Sequence, residues 1–190
     1  MSNIIRQALG QICNITDEEW NKLLPFIKTR SIKKNHVLLE QGSKSINFYF
    51  ITKGLVRFYY STPEGKEFNK SFHHENDFVG SLLTMKRDMP STFSIQALED
   101  CELIVINYKE FNTLYDEHRC WDRIGRIMAE ELAIRKELRE KEFLLDSAEA
   151  RYESFKAEFP DLQNRINLGH IASYLGITQV QLSRIRKNIK

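Results

Sequence analysis

The sequence predicts an α+β protein with a jelly-roll-type β-roll, a long helix and a small C-terminal helix-turn-helix unit. Three observations carry this prediction. Short apolar runs separated by turn residues fill residues 31–107, which is typical of antiparallel sandwiches and barrels. A helical pattern with two apolar stripes covers residues 116–143, and two short helical patterns flank Gly176.

Composition limits the classes of protein that the chain can represent. Its 190 residues, 42% of them hydrophobic, suffice for one large domain or for a medium domain plus a small one. The net charge of +2 is small, so any affinity for nucleic acid must come from local clustering. Since no apolar run reaches membrane length and no signal pattern starts the chain, we expect a cytoplasmic protein. The spacing of Cys13, Cys101 and Cys120 predicts reduced thiols and no metal site.

The first helical patterns cover residues 3–12 and 16–27. Thr16 and Glu19 form a predicted capping box at the start of the second helix. One face of that helix is apolar, so we expect the two helices to cap the strands that follow; its residues are Trp20, Leu23, Leu24 and Ile27.

Five β-type segments follow, with turn signals between them. They are HVLLEQG, NFYFITKG, LVRFYYSTPEG, KEFNKSF and QALEDCELIVIN. The irregular insert DFVGSLLTMKRDMPSTFS separates the last two and contains one helical segment near residues 81–85. A small ligand is expected to bind here, against backbone N–H groups at a helix start.

A short helix over residues 108–115 precedes the long helical pattern. The first stripe of the long helix has the spacing of a helix–helix seam and predicts a dimer interface formed by Cys120, Ile124, Ile127, Ile134 and Leu138. Trp121, Met128 and Leu132 form a second stripe beside it. One stripe can cover the β-roll while the other meets a second copy; the alternative is a monomer's core helix with a wide apolar face.

A further amphipathic helix over residues 147–159 ends before Pro160. In the helix-turn-helix pattern, Gly176 is predicted to end the first helix, and Thr178 with Gln181 forms a capping box for the second. Apolar residues on the two inner faces are Ile171, Ala172, Leu175, Leu182 and Ile185. From residue 162 onward the chain contains basic residues and no acid, which favours a nucleic-acid surface over a solvated basic tail.

Taken together, these features resemble the Crp–Fnr family of bacterial transcription regulators. The residues that carry the resemblance are Gly42, Lys53-Gly54, Gly65, Asp77-Phe78-Val79-Gly80, Cys101-Glu102-Leu103 and IASYLGITQVQLSRIRK at 171–187. The resemblance implies an effector β-roll at 1–115, a dimerisation helix at 116–145 and a DNA-binding unit at 146–190. It also implies a homodimer without enzymatic activity that reads a palindromic operator in double-stranded DNA and contacts RNA polymerase.

The resemblance also implies specific DNA-facing residues. Gln179 and Arg184 are assigned to base edges, because Gln matches adenine and Arg matches the guanine acceptors. Thr178, Arg186 and Lys187 are assigned to phosphates, and Val180 and Ser183 complete the groove-facing set.

Two departures from the family pattern matter. Relatives that bind cyclic AMP carry a glutamate where this chain has Ser81 and an Arg-Ser pair where it has Ser91-Thr92, so cyclic AMP is not expected to bind. The pocket for an unidentified small effector is predicted at Phe78, Gly80, Ser81, Leu82, Ser91 and Thr92. The sequence also ends just after the recognition helix, so the usual β-wing is expected to be missing.

Two other functions remain open from the sequence. A cytoplasmic ligand-binding roll could carry a purely structural helical pair. A cupin-like metalloenzyme would need a His-x-His motif facing into the roll, and His73-His74-Glu75 has the wrong spacing for it.

Overall fold

The computed structural model describes residues 2–188. Its helices are α1 (Ser2–Ile12), α2 (Asp17–Leu23), α3 (Leu82–Arg87), α4 (Tyr108–Thr113), α5 (Arg119–Leu145), α6 (Ala148–Glu158), α7 (Leu168–Leu175) and α8 (Gln179–Asn188). Its strands are β1 (Ile27–Ile32), β2 (Val37–Leu39), β3 (Asn47–Lys53), β4 (Val56–Ser61), β5 (Glu67–His73), β6 (Phe78–Val79), β7 (Ser94–Ala97) and β8 (Cys101–Asn107).

The strands form the predicted β-roll from two four-stranded antiparallel sheets. The strand orders are β1-β8-β3-β6 and β2-β7-β4-β5. Apolar side chains from both sheets fill the space between them: Ile51, Val56, Ile95 and Leu103 are all fully buried. Strand β1 begins at Ile27, where the sequence pattern predicted the end of a helix.

The N-terminal cap forms with one correction to the capping box. Thr16 accepts a hydrogen bond from the Glu19 backbone N–H, as predicted. The Glu19 carboxylate does not complete the box, because it is buried and accepts hydrogen bonds from Lys22 Nζ and Trp121 Nε1, both at 2.8 Å. Glu19 therefore ties the cap to the long helix α5.

Helix α5 divides into a buried and an exposed part. Cys120 and Ile124 are buried in the core that α1 and α2 share with the roll, so the prediction that they line a dimer interface is wrong. The sequence could not show that the N-terminal cap would cover this part of the stripe. From residue 129 to 138 every side chain is exposed, including Ile134 and Leu138.

The C-terminal helices pack against the roll around an aromatic cluster. Phe72 of β5 contacts Phe155, Phe159 and Tyr174, with ring centroids 5.4–6.4 Å apart. Buried aromatic pairs of this kind contribute beyond the area that they bury. The helix-turn-helix unit is thus packed onto the β4–β5 side of the roll.

Candidate DNA-binding surface and effector pocket

The turn between α7 and α8 has the geometry that the sequence predicts. Gly176 ends α7 with a left-handed backbone (φ 70°), and the N–H of Ile177 bonds to the carbonyl of Ala172. Thr178 and Gln181 form a reciprocal capping box: each residue's side-chain oxygen accepts from the other's backbone N–H, at 3.2 and 2.9 Å. These bonds fix where α8 starts and therefore which of its residues face outward.

Helix α8 separates an inner apolar face from an outer polar face. Leu182 and Ile185 are buried against α7. The groove-facing residues predicted from the sequence are all exposed, and they are Thr178, Gln179, Val180, Ser183, Arg184, Arg186 and Lys187. The outer face is therefore free to contact a partner.

The Gln179 side chain lies beside the first helix. A methyl group on Gly169 of α7 would lie 2.4 Å from Gln179 Nε2, so the exposed glutamine side chain would shift if residue 169 carried a Cβ. Gln179 is the first residue of α8 and lies at the N-terminal end of its outer face.

Polar contacts dock α7 on strand β5, the edge of its sheet. Asn69 donates its backbone N–H to Ser173 Oγ at 2.9 Å, and Asn69 Nδ2 donates to the carbonyl of His170 at 3.0 Å. Ser173 Oγ in turn donates to the carbonyl of Glu67 at 3.3 Å. Helix α7 thus satisfies groups that an edge strand would otherwise leave unpaired.

Arg57, almost fully buried in β4, lies at the centre of this docking contact. Its guanidinium donates to Gln96 Oε1, to Asn69 Oδ1 and to Glu67 Oε2, the last at 2.6 Å. The same group lies 3.3 Å from His170 Nδ1. Burial, together with the charge of Arg57, lowers the pKa of His170, so this imidazole remains neutral at physiological pH.

A second ionic contact crosses between the roll and the C-terminal helices. Arg165 donates to both carboxylate oxygens of Glu75 at 3.0 Å and to those of Glu99 at 3.0 and 2.7 Å. Burial opposes ionisation of Glu75, but Arg165 and the N–H of Gly54 overcome it and lower its pKa to about 2. Arg165, counted from the sequence among the basic C-terminal residues, is therefore part of this internal contact.

The end of α5 and the start of α6 hold the turn from the other side. Arg139 stacks between the rings of Tyr174 and Phe143 and donates to the carbonyl of Tyr174, and Arg151 donates to the carbonyl of Leu175 at 3.1 Å. These bonds satisfy carbonyls that the last turn of α7 leaves without helical partners.

The residues predicted to line an effector pocket are divided between the interior and the surface of the roll. Ser81 is buried and caps α3, and Ser91 is buried with its Oγ bonded to the backbone of Phe93. Leu82 and Thr92 are exposed, while Phe78 packs against Phe50, and Gly80 lies against Phe48. Among the described residues, an open groove of about 500 Å³ lies elsewhere and is lined by residues that include Val37, Gln41, Tyr59, Ser61 and Ser94.

Aromatic rings pack together inside the roll. Phe58 stacks on Phe93 with ring centroids 4.8 Å apart, and the ring centroid of His73 lies 4.4 Å from that of Phe58. Lys70 Nζ is held 3.7 Å from the centroid of Phe93. The roll therefore has an aromatic interior with one ammonium group at its edge.

Sequence reasoning did not find the role of Lys70. The register of β4 with β5 shifts between Phe58 and Tyr59, so Lys70 is the extra residue of a β-bulge, a feature that redirects a side chain. Its neighbour is Lys136 of α5: burial and this second ammonium lower the pKa of Lys70 to about 8. Burial also lowers the pKa of Lys136. The ammonium groups of Lys70 and the exposed Lys136 are thus close enough for each to affect the pKa of the other.

Comparison with known proteins agrees with this architecture. Residues 29–118 match the cyclic nucleotide-binding domain family. The chain is 29% identical over 99 residues to the cAMP-activated global transcriptional regulator CRP of Salmonella typhimurium. This aligned region covers 52% of the chain and 47% of the relative. The chain thus matches about half the length of this curated relative.

Solved structures share the fold across most of the chain. FixK2 from Bradyrhizobium japonicum superposes with a TM-score of 0.74 at 17% identity, covering 86% of this chain and 84% of that one. A CooA variant from Carboxydothermus hydrogenoformans superposes with a TM-score of 0.73 at 17% identity, covering 95% of this chain and 83% of that one.

The fold defines a cyclic nucleotide-binding-type β-roll joined through a long helix to a helix-turn-helix unit. The comparisons agree with the resemblance seen in the sequence: residues 29–118 match the cyclic nucleotide-binding domain family, and the fold of most of the chain is similar to that of FixK2 and CooA. No described helix is long and apolar enough to cross a membrane.

Proposed function

We propose that the chain is a homodimeric transcription regulator that binds double-stranded DNA through α8. The observation that carries this proposal is the outer face of α8, which is exposed, uncharged or basic, and fixed at its start by the Thr178–Gln181 capping box. The curated relative is named as a transcription regulator, which favours this function over a cupin-like enzyme. Arg184 and Gln179 contact base edges, whereas Thr178, Arg186 and Lys187 contact phosphates.

The two faces of α5 support the dimer. Arg139 and Phe143 point towards their own chain, since they contact Tyr174 and the turn at Gly176. Side chains at the 3.6-residue period on the opposite face are exposed and apolar; they are Ile134, Leu138 and Leu145, with Ile127 partly buried. A second copy of α5 is the partner that such a face fits, and twofold symmetry then presents two copies of α8 to DNA.

Binding-site selection followed by titration tests the DNA proposal. We expect a roughly palindromic site with half-sites about 34 Å apart, one turn of duplex. Arg184→Ala should remove about 1–3 kcal/mol of the binding free energy that discriminates between bases at one base pair of each half-site. The selected sites should then show a weaker base preference at that position. Lys187→Ala should weaken binding to all DNA sequences alike and reduce the salt dependence of the affinity, because phosphate contacts carry no sequence information.

Lys33→Ala is the matched control, since Lys33 is exposed on the roll and pairs with Asp100 at 2.7 Å. It should leave DNA affinity unchanged. If no sequence is enriched and Arg184→Ala behaves like the parent, the chain is instead a ligand-binding roll whose helical pair is structural.

We further propose that the effector is a small anion held between Lys70 and Lys136 rather than cyclic AMP. Two neighbouring ammonium groups repel each other at neutral pH, and an anion placed between them removes this repulsion. The stacked pair of Phe58 and Phe93 occupies part of the interior, which disfavours a ligand with a buried base. Because Lys70 belongs to the roll and Lys136 to α5, such an anion would link effector binding to the dimer helix.

Thermal unfolding at constant ionic strength tests this proposal with inorganic phosphate as the probe. Phosphate should raise the unfolding temperature of the parent more than chloride does, and Lys70→Met should abolish the difference. Lys33→Met provides the control for non-specific charge effects. An equal phosphate effect in parent and Lys70→Met would overturn the assignment.

A further inference from the structure

Three potential metal ligands meet where the N-terminal cap touches the start of α5. They are a Glu19 carboxylate oxygen, a ring nitrogen of His118 and the Sγ of Cys120, and these atoms all lie within 4.8 Å of one another. Glu19 and Cys120 are buried and His118 is exposed, so the cluster is open to solvent on one side. Glu19 lies about 100 positions before His118 and Cys120 in the sequence, which is why spacing did not reveal the cluster.

The donor set has a definite metal preference. Cysteine sulfur, histidine nitrogen and carboxylate oxygen are the three protein ligand types of Zn²⁺, and three protein ligands leave a fourth tetrahedral position for water. A harder ion such as Mg²⁺ or Ca²⁺ would require a shell of oxygen ligands instead.

Neighbouring bonds orient two of the three ligands. Trp121 Nε1 donates to Glu19 Oε2 at 2.8 Å and fixes the carboxylate from behind, as outer-sphere donors do in metal sites. His118 Nδ1 accepts from the backbone N–H of Cys120 at 3.2 Å, a bond that holds the imidazole beside the residue that carries the thiol.

Two existing bonds must give way for a cation to bind: the hydrogen bond from the Cys120 N–H to His118 Nδ1, and the ion pair of Lys22 with Glu19. Lys22 Nζ bonds to Glu19 Oε1 at 2.8 Å, but it also lies 3.7 Å from Glu18 and 3.5 Å from Glu117. Lys22 can therefore exchange the buried carboxylate for either of two exposed ones. The Cys120 thiol gives up one proton to solvent as its sulfur bonds to the metal, whereas neutral His118 binds through a lone pair.

We propose that Glu19, His118 and Cys120 bind one Zn²⁺ ion per chain, with water as the fourth ligand. The ion would fasten α2 of the cap to the first turn of α5, the helix that leads to the exposed apolar face. This site is independent of DNA binding and of the anion at Lys70.

Cobalt titration of the full-length protein after chelator treatment tests the proposal directly. Co²⁺ should bind one per chain with a thiolate-to-metal absorption band in the near ultraviolet, and added Zn²⁺ should remove this band. Cys120→Ser should abolish the band. His118→Asn, at an exposed position where Asn still caps α5, should weaken Co²⁺ binding by at least about tenfold, the loss that even outer-sphere changes cause.

Cys101→Ser is the control, because Cys101 is a buried cysteine of β8 that contacts Leu55 and Glu99 rather than the cluster. It should leave the band and the stoichiometry unchanged. Absence of the thiolate band in the parent, or unchanged Co²⁺ binding in folded His118→Asn, would overturn the proposal.

Discussion

At the scale of single residues, Gly176 controls the geometry between α7 and α8. Its backbone lies in the left-handed region (φ 70°), and an added Cβ would meet the ring of Phe143 at 3.0 Å. The residue thus combines a backbone requirement with a close approach to α5. Phe143, together with Arg139 and Arg151, keeps this turn against the end of the long helix.

We expect Gly176→Ala to lower the free energy of unfolding by about 1–2 kcal/mol, because Ala strains a left-handed backbone and crowds Phe143. Gly10→Ala is the control: Gly10 lies in α1 with nothing within 4 Å of an added Cβ. It should stabilise the protein by about 0.5–1 kcal/mol through helix propensity. Urea unfolding measures both variants, and equal effects of the same sign would contradict this account of Gly176.

At the scale of elements, the contact of α7 with β5 makes stability depend on pH. His170 Nδ1 lies 3.3 Å from the Arg57 guanidinium and 3.1 Å from Asn69 Nδ2, so it acts as an acceptor in its neutral form. Protonation removes this acceptor and places a second cation beside Arg57. Because the pKa of His170 is lowered on folding, its contribution is complete above the ordinary value and is lost as pH falls through the folded value.

The unfolding temperature of the parent should therefore fall as pH decreases from 7 to 5. His170→Gln should flatten this part of the curve, because the amide oxygen accepts a hydrogen bond without titrating. His36→Gln serves as the control, since His36 also neighbours an arginine, Arg30, at 3.0 Å but is exposed. A parent curve that His170→Gln leaves unchanged would show that other groups carry the pH dependence.

The exposed face of α5 gives a second prediction at the scale of elements. Leu138→Glu should convert the dimer to monomers, because it places a charge in the apolar seam. Ala133→Glu introduces the same charge at an exposed position away from the stripe and should leave the dimer intact. Sedimentation at micromolar concentration measures both, and a monomeric parent would refute the dimer itself.

At the scale of the whole molecule, the aromatic cluster joins the roll to the helix-turn-helix unit. Phe155 is almost completely buried between Phe72 and Tyr174. Both tryptophans, Trp20 and Trp121, lie in the separate N-terminal core. Tryptophan fluorescence therefore reports on that core, whereas circular dichroism reports on all helices.

Coincident thermal transitions by the two methods are expected for the parent, since the clusters are connected through the roll. Phe155→Ala should lower the free energy of unfolding by about 3–5 kcal/mol. The C-terminal helices should then unfold first, so that the circular dichroism transition occurs at a lower temperature than the fluorescence transition. Phe111→Ala, in the N-terminal core, should instead lower both together. Coincident transitions in Phe155→Ala would indicate that the cluster does not couple the two parts.

Local sequence patterns were sufficient for the elements whose signals are local. The capping box of Thr178 and Gln181, the stop at Gly176 and the helices α5 and α6 depend on residues within a few positions of one another. The outer face of α8 followed from the same periodicity, because the residues left after its two buried positions must face outward. The resemblance to the Crp–Fnr family then supplied their order and the expected fold.

Only the tertiary structure decided how distant residues meet. Cys120 and Ile124 follow the same stripe as Leu138, yet α1 and α2 fold over them and remove them from the interface. Arg165 has the charge of a DNA contact but pairs with Glu75 and Glu99, and Lys70 reaches Lys136 through a bulge. Periodicity specifies the face of an element on which a residue lies, whereas the packing of segments that can be more than 100 residues apart determines what covers that face.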